Sequence, residues 1–219
     1  MMARPPLQPI TSRAGRFLAI YEESFVGIGI SSNVYAAESG GRHYIFDASG
    51  HPDLLSYLNA AGIPSESIAA VFLTHGHHDH VRGLVSLSRI GVPAYLNMND
   101  LGLLENCIGK RDVRDVFEGN DILSGLGLRI IPTPGHTPGS TCYYSGDEGL
   151  LISGDTVYAD GYFGRTDLPG GSDSEMEKSL KRLMGLGVHS ILPGHGAYIM
   201  EGGGRSISVA LSNANFLLR

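Results

Sequence analysis

Residues 68–80 read IAAVFLTHGHHDH, and the fold is decided by how this stretch passes from apolar to polar. Ile68–Thr74 is a nearly continuous apolar run, the mark of a strand covered on both faces. It ends directly at His75. His75 and His77 are two apart, so in extended backbone their side chains project to the same side. Asp79 and His80 follow where the chain is expected to turn into a helix. A carboxylate is favoured at a helix N-terminus, and a neutral imidazole, the form that ligates metal, is tolerated there. Imidazole together with carboxylate suits zinc, iron or manganese. By itself the stretch also fits a histidine-rich polar loop or a pH-sensitive cluster.

Three separated islands distinguish these readings. His136 lies in PTPGHTPGS, Asp155 in SGDT and His195 in LPGHG, each just beyond a run that reads as a strand. Each delivers one histidine or aspartate from a strand's C-terminal end, among glycines that let backbone approach a buried ion closely. Spacing shows that ligands are present and does not sort them among ions.

Outward from these motifs the chain alternates strands and helices. RFLAIYEE, FVGIGI, NVYAAES and HYIFDA read as a meander of short strands separated by Gly, Ser or Asn. A helix is expected over 52–61, with Leu54, Leu58 and Ala61 in helical spacing, and another over 98–106. LGLRIIPT, STCYYS and GLLISGD read as strands of a second, similar half. Ser172 and Glu175 suggest a capping box before a helix carrying Met176, Leu180, Leu183 and Met184 on one face. HSILPGH reads as a last buried strand, followed by a helix with Ile207, Leu211, Ala214 and Leu218 in one stripe. The expectation is an α/β (α+β) chain of sheets covered by helices on their outer faces, one domain over 1–219, with its site on the rim of strand ends.

Composition narrows the function. The net charge is −6 without any Lys/Arg-rich tract, which argues against a nucleic-acid partner. Cys107 and Cys142 are too few for a disulfide scaffold or a thiolate zinc cage. No apolar run is long enough to span a bilayer, and the start lacks a signal-like stretch, so a soluble cytoplasmic protein is expected.

The ordered pattern HGHHDH, TPGHTPGS, SGDT and PGHG, running from about Asp47 to His195, resembles the metallo-β-lactamase superfamily. The resemblance implies a four-layer αββα sandwich with two metal ions at one edge of the sheets. It implies that His75, His77 and His136 hold the first ion, that Asp79, His80 and His195 hold the second, and that Asp155 bridges them. The ions are expected to be divalent, zinc first, with iron or manganese as alternatives. Two such cations would bring the pKa of a shared water toward neutrality, so that hydroxide attacks a carbonyl while a metal stabilises the oxyanion. Asp79 would accept a hydrogen bond from that nucleophile and help shuttle its proton.

Within the superfamily, GRTDLPGG at 164–171 resembles glyoxalase II-like (hydroxyacylglutathione hydrolase-like) enzymes and the related persulfide dioxygenases. The former imply hydrolysis of a small thioester or ester. The latter imply one iron held by His75, His136 and Asp155. A third reading is a metal-binding redox or regulatory module without hydrolysis. Glyoxalase II carries a helical C-terminal domain that binds glutathione, whereas about one helix follows His195 here, so no separate substrate domain is expected. Arg165 and Tyr162 are candidate substrate contacts, although Arg165 and Asp167 also read as a turn fastened by an ion pair. Tyr158, Tyr162 and Phe163 could wall the pocket, although aromatic residues near a core are more often simply packed, and His43, His51, His78 and His189 lie outside the ligand set. Cys142 reads as a small buried hydrophobe, and Asp47 as a residue that orients a ligand from behind.

Overall fold

In the computed structural model, which describes residues 8–10, 17–20, 30–104 and 113–217, the chain opens on an antiparallel meander. Strands β1 (Gln8–Ile10), β2 (Phe17–Ile20), β3 (Val34–Ser39) and β4 (Arg42–Phe46) pair in sequence order. Gly40 (φ 58°) and Gly41 (φ 73°) supply the two left-handed residues that the tight β3–β4 hairpin requires. After helix α1 (Leu54–Ala60), strand β5 (Ile68–Phe72) joins parallel to β4. Helices α2 (His78–Val81) and α3 (Leu84–Ser88) lead to β6 (Ala94–Leu96), then a 3₁₀ segment (Met98–Leu104) and β7 (Val113–Asp115), both strands parallel to β5. The seven strands form one sheet in the order β1-β2-β3-β4-β5-β6-β7.

The second sheet has four strands. Helix α4 (Asn120–Gly125) precedes β8 (Arg129–Pro132), β9 (Thr141–Ser145) and β10 (Leu150–Gly154), which pair antiparallel. Helix α5 (Asp173–Met184) crosses over to β11 (Ser190–Pro193), parallel to β10, and α6 (Gly203–Leu217) ends the described chain. The order is β11-β10-β9-β8.

Two-residue alternation sorts the apolar side chains into layers. Tyr35, Phe46, Phe72, Tyr143, Leu150, Ile152 and Leu192 meet between the sheets. Val34, Ile45, Val71 and Leu73 face the other way, against Leu54 and Leu58 of α1 and Leu84 and Leu87 of α3. Cys142, Tyr144, Leu151 and Ile191 turn outward onto Met176, Leu180 and Leu183 of α5 and Ile207 and Ala210 of α6. The result is helix, sheet, sheet, helix: the expected αββα sandwich.

Several expectations need correction. The halves differ in size, seven strands against four, because the short β6 and β7 extend the first sheet and lack the alternation that would have marked them. The helix expected over 98–106 is a 3₁₀ segment, with 105–106 outside the described residues. FVGIGI also falls outside them except for Ile30, as do Cys107 and Leu218. Met184 is 43 % exposed, at the rim of the α5 stripe rather than in it. The capping box is one-sided. The Ser172 hydroxyl accepts from Glu175 N, but the Ser172 N–H donates to Gly135 O while Glu175 pairs with Lys178.

Phe72 is the ring on which the inter-sheet core is built. It stacks on Tyr95 with centroids 4.9 Å apart and meets Phe46 and Tyr143 at 5.8 and 6.0 Å. Phe72→Ala is expected to cost about 3–5 kcal/mol, read as a lower urea midpoint with an unchanged slope. A loss below 1 kcal/mol would show that the core collapses around the gap.

Candidate metal centre

Five strands end at one rim, and each delivers a polar side chain there. Asp47 follows β4, His75 follows β5, His136 lies beyond β8, Asp155 follows β10 and His195 follows β11. Short cross-links hold these ends together. Tyr143 Oη donates to Leu73 O (2.6 Å), Tyr35 Oη to Pro193 O (2.7 Å), and Asn33 Nδ2 to Pro193 O and Gly196 O (3.1 and 2.8 Å). Thr141 N donates to Thr74 O at 2.8 Å. Asn33, Tyr35 and Tyr143 gave no signal in the sequence, because their role exists only across two sheets.

All seven expected ligand residues come together. The donor atoms of His75, His77 and His136 lie within 4.8 Å of one another, as do those of Asp79, His80 and His195. Asp155 stands between the two trios: Oδ2 is 3.5 Å from His136 Nε2 and 3.6 Å from His195 Nε2, and Oδ1 is 3.4 Å from His80 Nε2. His78 is exposed and belongs to neither trio.

The rings are oriented from behind. His136 Nδ1 donates to the Arg165 carbonyl oxygen at 2.7 Å, which leaves Nε2 with the lone pair in the neutral ring. His80 Nδ1 lies 2.8 Å from Asp47 Oδ2, so Asp47 stands behind this ring and fixes its orientation. The same carboxylate accepts from Thr74 N (2.7 Å) and Thr74 Oγ1, which in turn lies 3.1 Å from His75 Nδ1. To reach these partners Asp47 adopts φ 59°, a left-handed conformation that costs of order 1–2 kcal/mol outside glycine.

The donor set fits a cation. His77 Nδ1 lies 2.8 Å from His136 Nε2 and 3.1 Å from His75 Nε2. One proton on His77 could serve one of these neighbours, whereas one metal ion serves all three. Asp155 Oδ1 is buried without a hydrogen-bond partner. Gly194 packs so closely on Asp155 Oδ1 and His80 that a Cβ there would collide with both.

Charge is tuned to the same end. Burial, reinforced by the neighbouring His80, holds His75 well below the ordinary imidazole pKa, and burial with His136 lowers His77. Burial opposes ionisation of Asp155, but His80 beside it overcomes this and holds the carboxyl well below its usual range. Burial likewise resists a charge on His80, yet Asp47 and Asp155 flank it and push its pKa well up. Asp79, despite burial, is brought down to about 2 by its hydrogen bond with His195 (3.1 Å) and by His80.

A cavity of about 630 Å³ opens over both trios, lined by Ile30, His77, His78, Asp79, His136, Asp155, Tyr158, Arg165, Leu168 and His195. Tyr158 is therefore a wall of the site, where burial and then the Asp155 carboxylate raise the pKa of its hydroxyl. Tyr162 is 56 % exposed and outside this lining. Arg165 pairs bidentately with Asp167 (2.9 and 2.7 Å) on exposed side chains, so the fastened turn is present, and Arg165 is one of the cavity's lining residues. A depression of similar size, about 640 Å³, lies at the opposite end of β10 beside His189 and holds none of the clustered residues.

The profile of the Metallo-beta-lactamase superfamily matches residues 27–195. A Bacillus subtilis (strain 168) protein named "Probable metallo-hydrolase YqgX" is 31% identical over 76% of this chain and 86% of its own. A hydroxyacylglutathione hydrolase of Ectopseudomonas mendocina is 36% identical over 61% of this chain, but over only 48% of its own length. TTHA1623, solved in a di-iron-bound form, superposes with a TM-score of 0.67 at 30% identity, covering 84% of this chain and 93% of that one.

Two outcomes follow from the geometry. Asp47→Ala is expected to weaken metal binding about 10–100-fold in competition with a chelator; unchanged affinity would confine Asp47 to its turn. Because His75 and His77 are lowered, protons compete with metal for them only below the ordinary value of 6.5. Acid release from their trio is therefore expected with a midpoint under pH 6.5, measured by equilibrium dialysis across pH 4–8.

Proposed function

The chain belongs to the metallo-β-lactamase superfamily, and from that premise we propose that it is a two-metal hydrolase of a small thioester or related ester. The observation that carries the reading is the convergence of two donor trios, joined by Asp155, under a cavity whose lining, among the described residues, holds no serine or cysteine. Attack in such a cavity falls to water rather than to a side-chain nucleophile.

His75, His77 and His136 would hold one ion and Asp79, His80 and His195 the other, with Asp155 serving both. Bound divalent metal supplies Lewis acidity, lowering the pKa of water and stabilising developing negative charge. Zinc suits this nitrogen-rich set, and the similarity to a di-iron protein supports iron as well.

The chain's own groups do the rest. Asp79 faces the cavity and stays ionised, so it accepts a hydrogen bond from the attacking water and orients it. A carboxyl held near about 2 suits that task better than storing a proton. Burial, with Asp155 next, keeps the Tyr158 hydroxyl protonated and thus a donor beside the reacting group. Ile30 and Leu168 give the mouth an apolar wall that shields an acyl chain from water. A substrate carboxylate would reach Arg165 only by competing with Asp167.

The thioester class is supported by the GRTDLPGG segment and by the similarity to hydroxyacylglutathione hydrolase. A small molecule fits better than nucleic acid, since the chain is net negative at −6. Among the described residues no helix is long and apolar enough to cross a membrane.

The expected result is about two metals per chain by elemental analysis and turnover of S-lactoylglutathione or a simpler acyl thioester. Chelation should abolish the turnover and added metal restore it. His136→Ala should lower kcat/KM by about two orders of magnitude or more. One iron per chain with oxygen uptake on glutathione persulfide would replace this reading with a dioxygenase. Two metals without turnover on thioester, ester and lactone panels would leave a binding module.

A further inference from the structure

Asp100 lies in the 3₁₀ segment, fully buried, and belongs to neither donor trio. Its carboxylate nevertheless joins the two loops that carry the first trio. Oδ2 accepts from Gly76 N at 3.0 Å and from Thr137 Oγ1 at 2.6 Å, and Oδ1 accepts from Gly139 N at 2.6 Å. Gly76 separates His75 from His77, while Thr137 and Gly139 follow His136. All three nitrogen donors of that trio thus hang on backbone tied to one carboxylate.

The same contact accounts for two glycines of the motifs. A Cβ on Gly139 would lie 2.6 Å from Asp100 Cγ, and one on Gly76 would lie 2.9 Å from Asp100 O and from Leu103 Cβ. What these glycines let the backbone approach is Asp100. Gly194, against Asp155 and His80, is the glycine that makes room at the ligands themselves.

The second trio is held by other means. His80 rests on Asp47, the His195 loop is tied to Asn33, and Gly194 N donates to Gly154 O at 2.9 Å. Asp47 reaches both trios, since Thr74 links it to His75. Among the described residues, the hydrogen bonds of the Asp100 carboxylate go only to the loops of the first.

We propose that Asp100 is a positioning residue that fixes the spacing of the His75–His77 and His136 loops and so sets metal affinity at the first trio, independently of the second. The inference rests on the metal reading of the trios. Three nitrogens suit one ion only within a few tenths of an ångström, and hydrogen bonds to a carboxylate are among the stiffer supports available to a loop. Removing it leaves two buried backbone N–H groups without this acceptor, and the loops drift to find others.

The test titrates metal-free full-length protein with cobalt or zinc against a chromophoric chelator. Wild type should bind two ions. Asp100→Ala should bind one of them about 10–100-fold more weakly, with the other unchanged. The ion it retains should give the cobalt spectrum of the ion retained by His77→Ala, not of that retained by His195→Ala. Asp100→Asn should fall between, because its amide oxygen still accepts from Gly76 and Thr137 while its NH2 group faces the Gly139 N–H. Thr137→Val removes one donor without touching the backbone and should weaken the same position to a smaller degree, which keeps the test open if Asp100→Ala does not fold. Equal weakening at both positions, or no change at either, overturns the inference while the metal reading stands. A wild-type protein that takes up no metal overturns both.

Discussion

Seven side chains point acceptor atoms at one small volume, and such atoms repel unless a positive charge lies among them. Much else at this rim can be understood as the means of imposing that arrangement. The carboxylates of Asp47 and Asp155 show the pull of such a charge: they raise the pKa of His80 against the penalty of burial. The neighbouring His75 is lowered instead, by burial first and by His80 beside it second.

Imposing the arrangement requires a scaffold that does not yield. The rim joins two sheets whose strands run into aromatic packing around Phe46, Phe72 and Tyr143, so the strand ends are fixed before any loop begins. Tyr143 and Tyr35 then reach across to carbonyls of the opposite sheet, at Leu73 and Pro193, and set the two rims at a constant separation. Behind the ligands stands a second layer of acceptors. Asp47 holds His80 and Thr74, the Arg165 carbonyl holds His136, and Asp100 holds two loops. Asp47 bears a left-handed backbone to do so, which places local strain at the point where strand β4 meets the site.

Function follows from what stands over that cluster. The cavity wall mixes ionised Asp79, the hydroxyl-bearing Tyr158 and apolar Ile30 and Leu168, so polar and apolar surfaces meet over the clustered donors. Arg165 acts mainly through its backbone: its carbonyl oxygen orients His136 while its guanidinium is engaged with Asp167. The GRTD turn is thus part of the site's framework whatever its part in recognition.

The ligand residues, the layered fold and the rim location were legible in the sequence because each has a local signature. HGHHDH packs its donors within six residues, and His136, Asp155 and His195 each terminate a run whose hydrophobicity announces a strand. Apolar runs bounded by turn residues marked β3, β5, β9 and β10, while strands of three residues such as β6 and β7 are too short to stand out. Asp100, Tyr158, Asn33, Tyr35 and Tyr143 carried no such mark, since an aspartate in NDL or a tyrosine in VYA is ordinary until its partner is known. Their partners lie tens of residues away, at Gly139, Leu73 or Pro193, or depend on how a turn folds over the cavity. The sequence by itself determined which atoms can bind metal and which ends of strands present them. Only the tertiary structure decided which of those atoms lie close enough to share an ion and what holds them in place, because hydrogen bonds across sheets and loops depend on distance in space and leave no period along the chain.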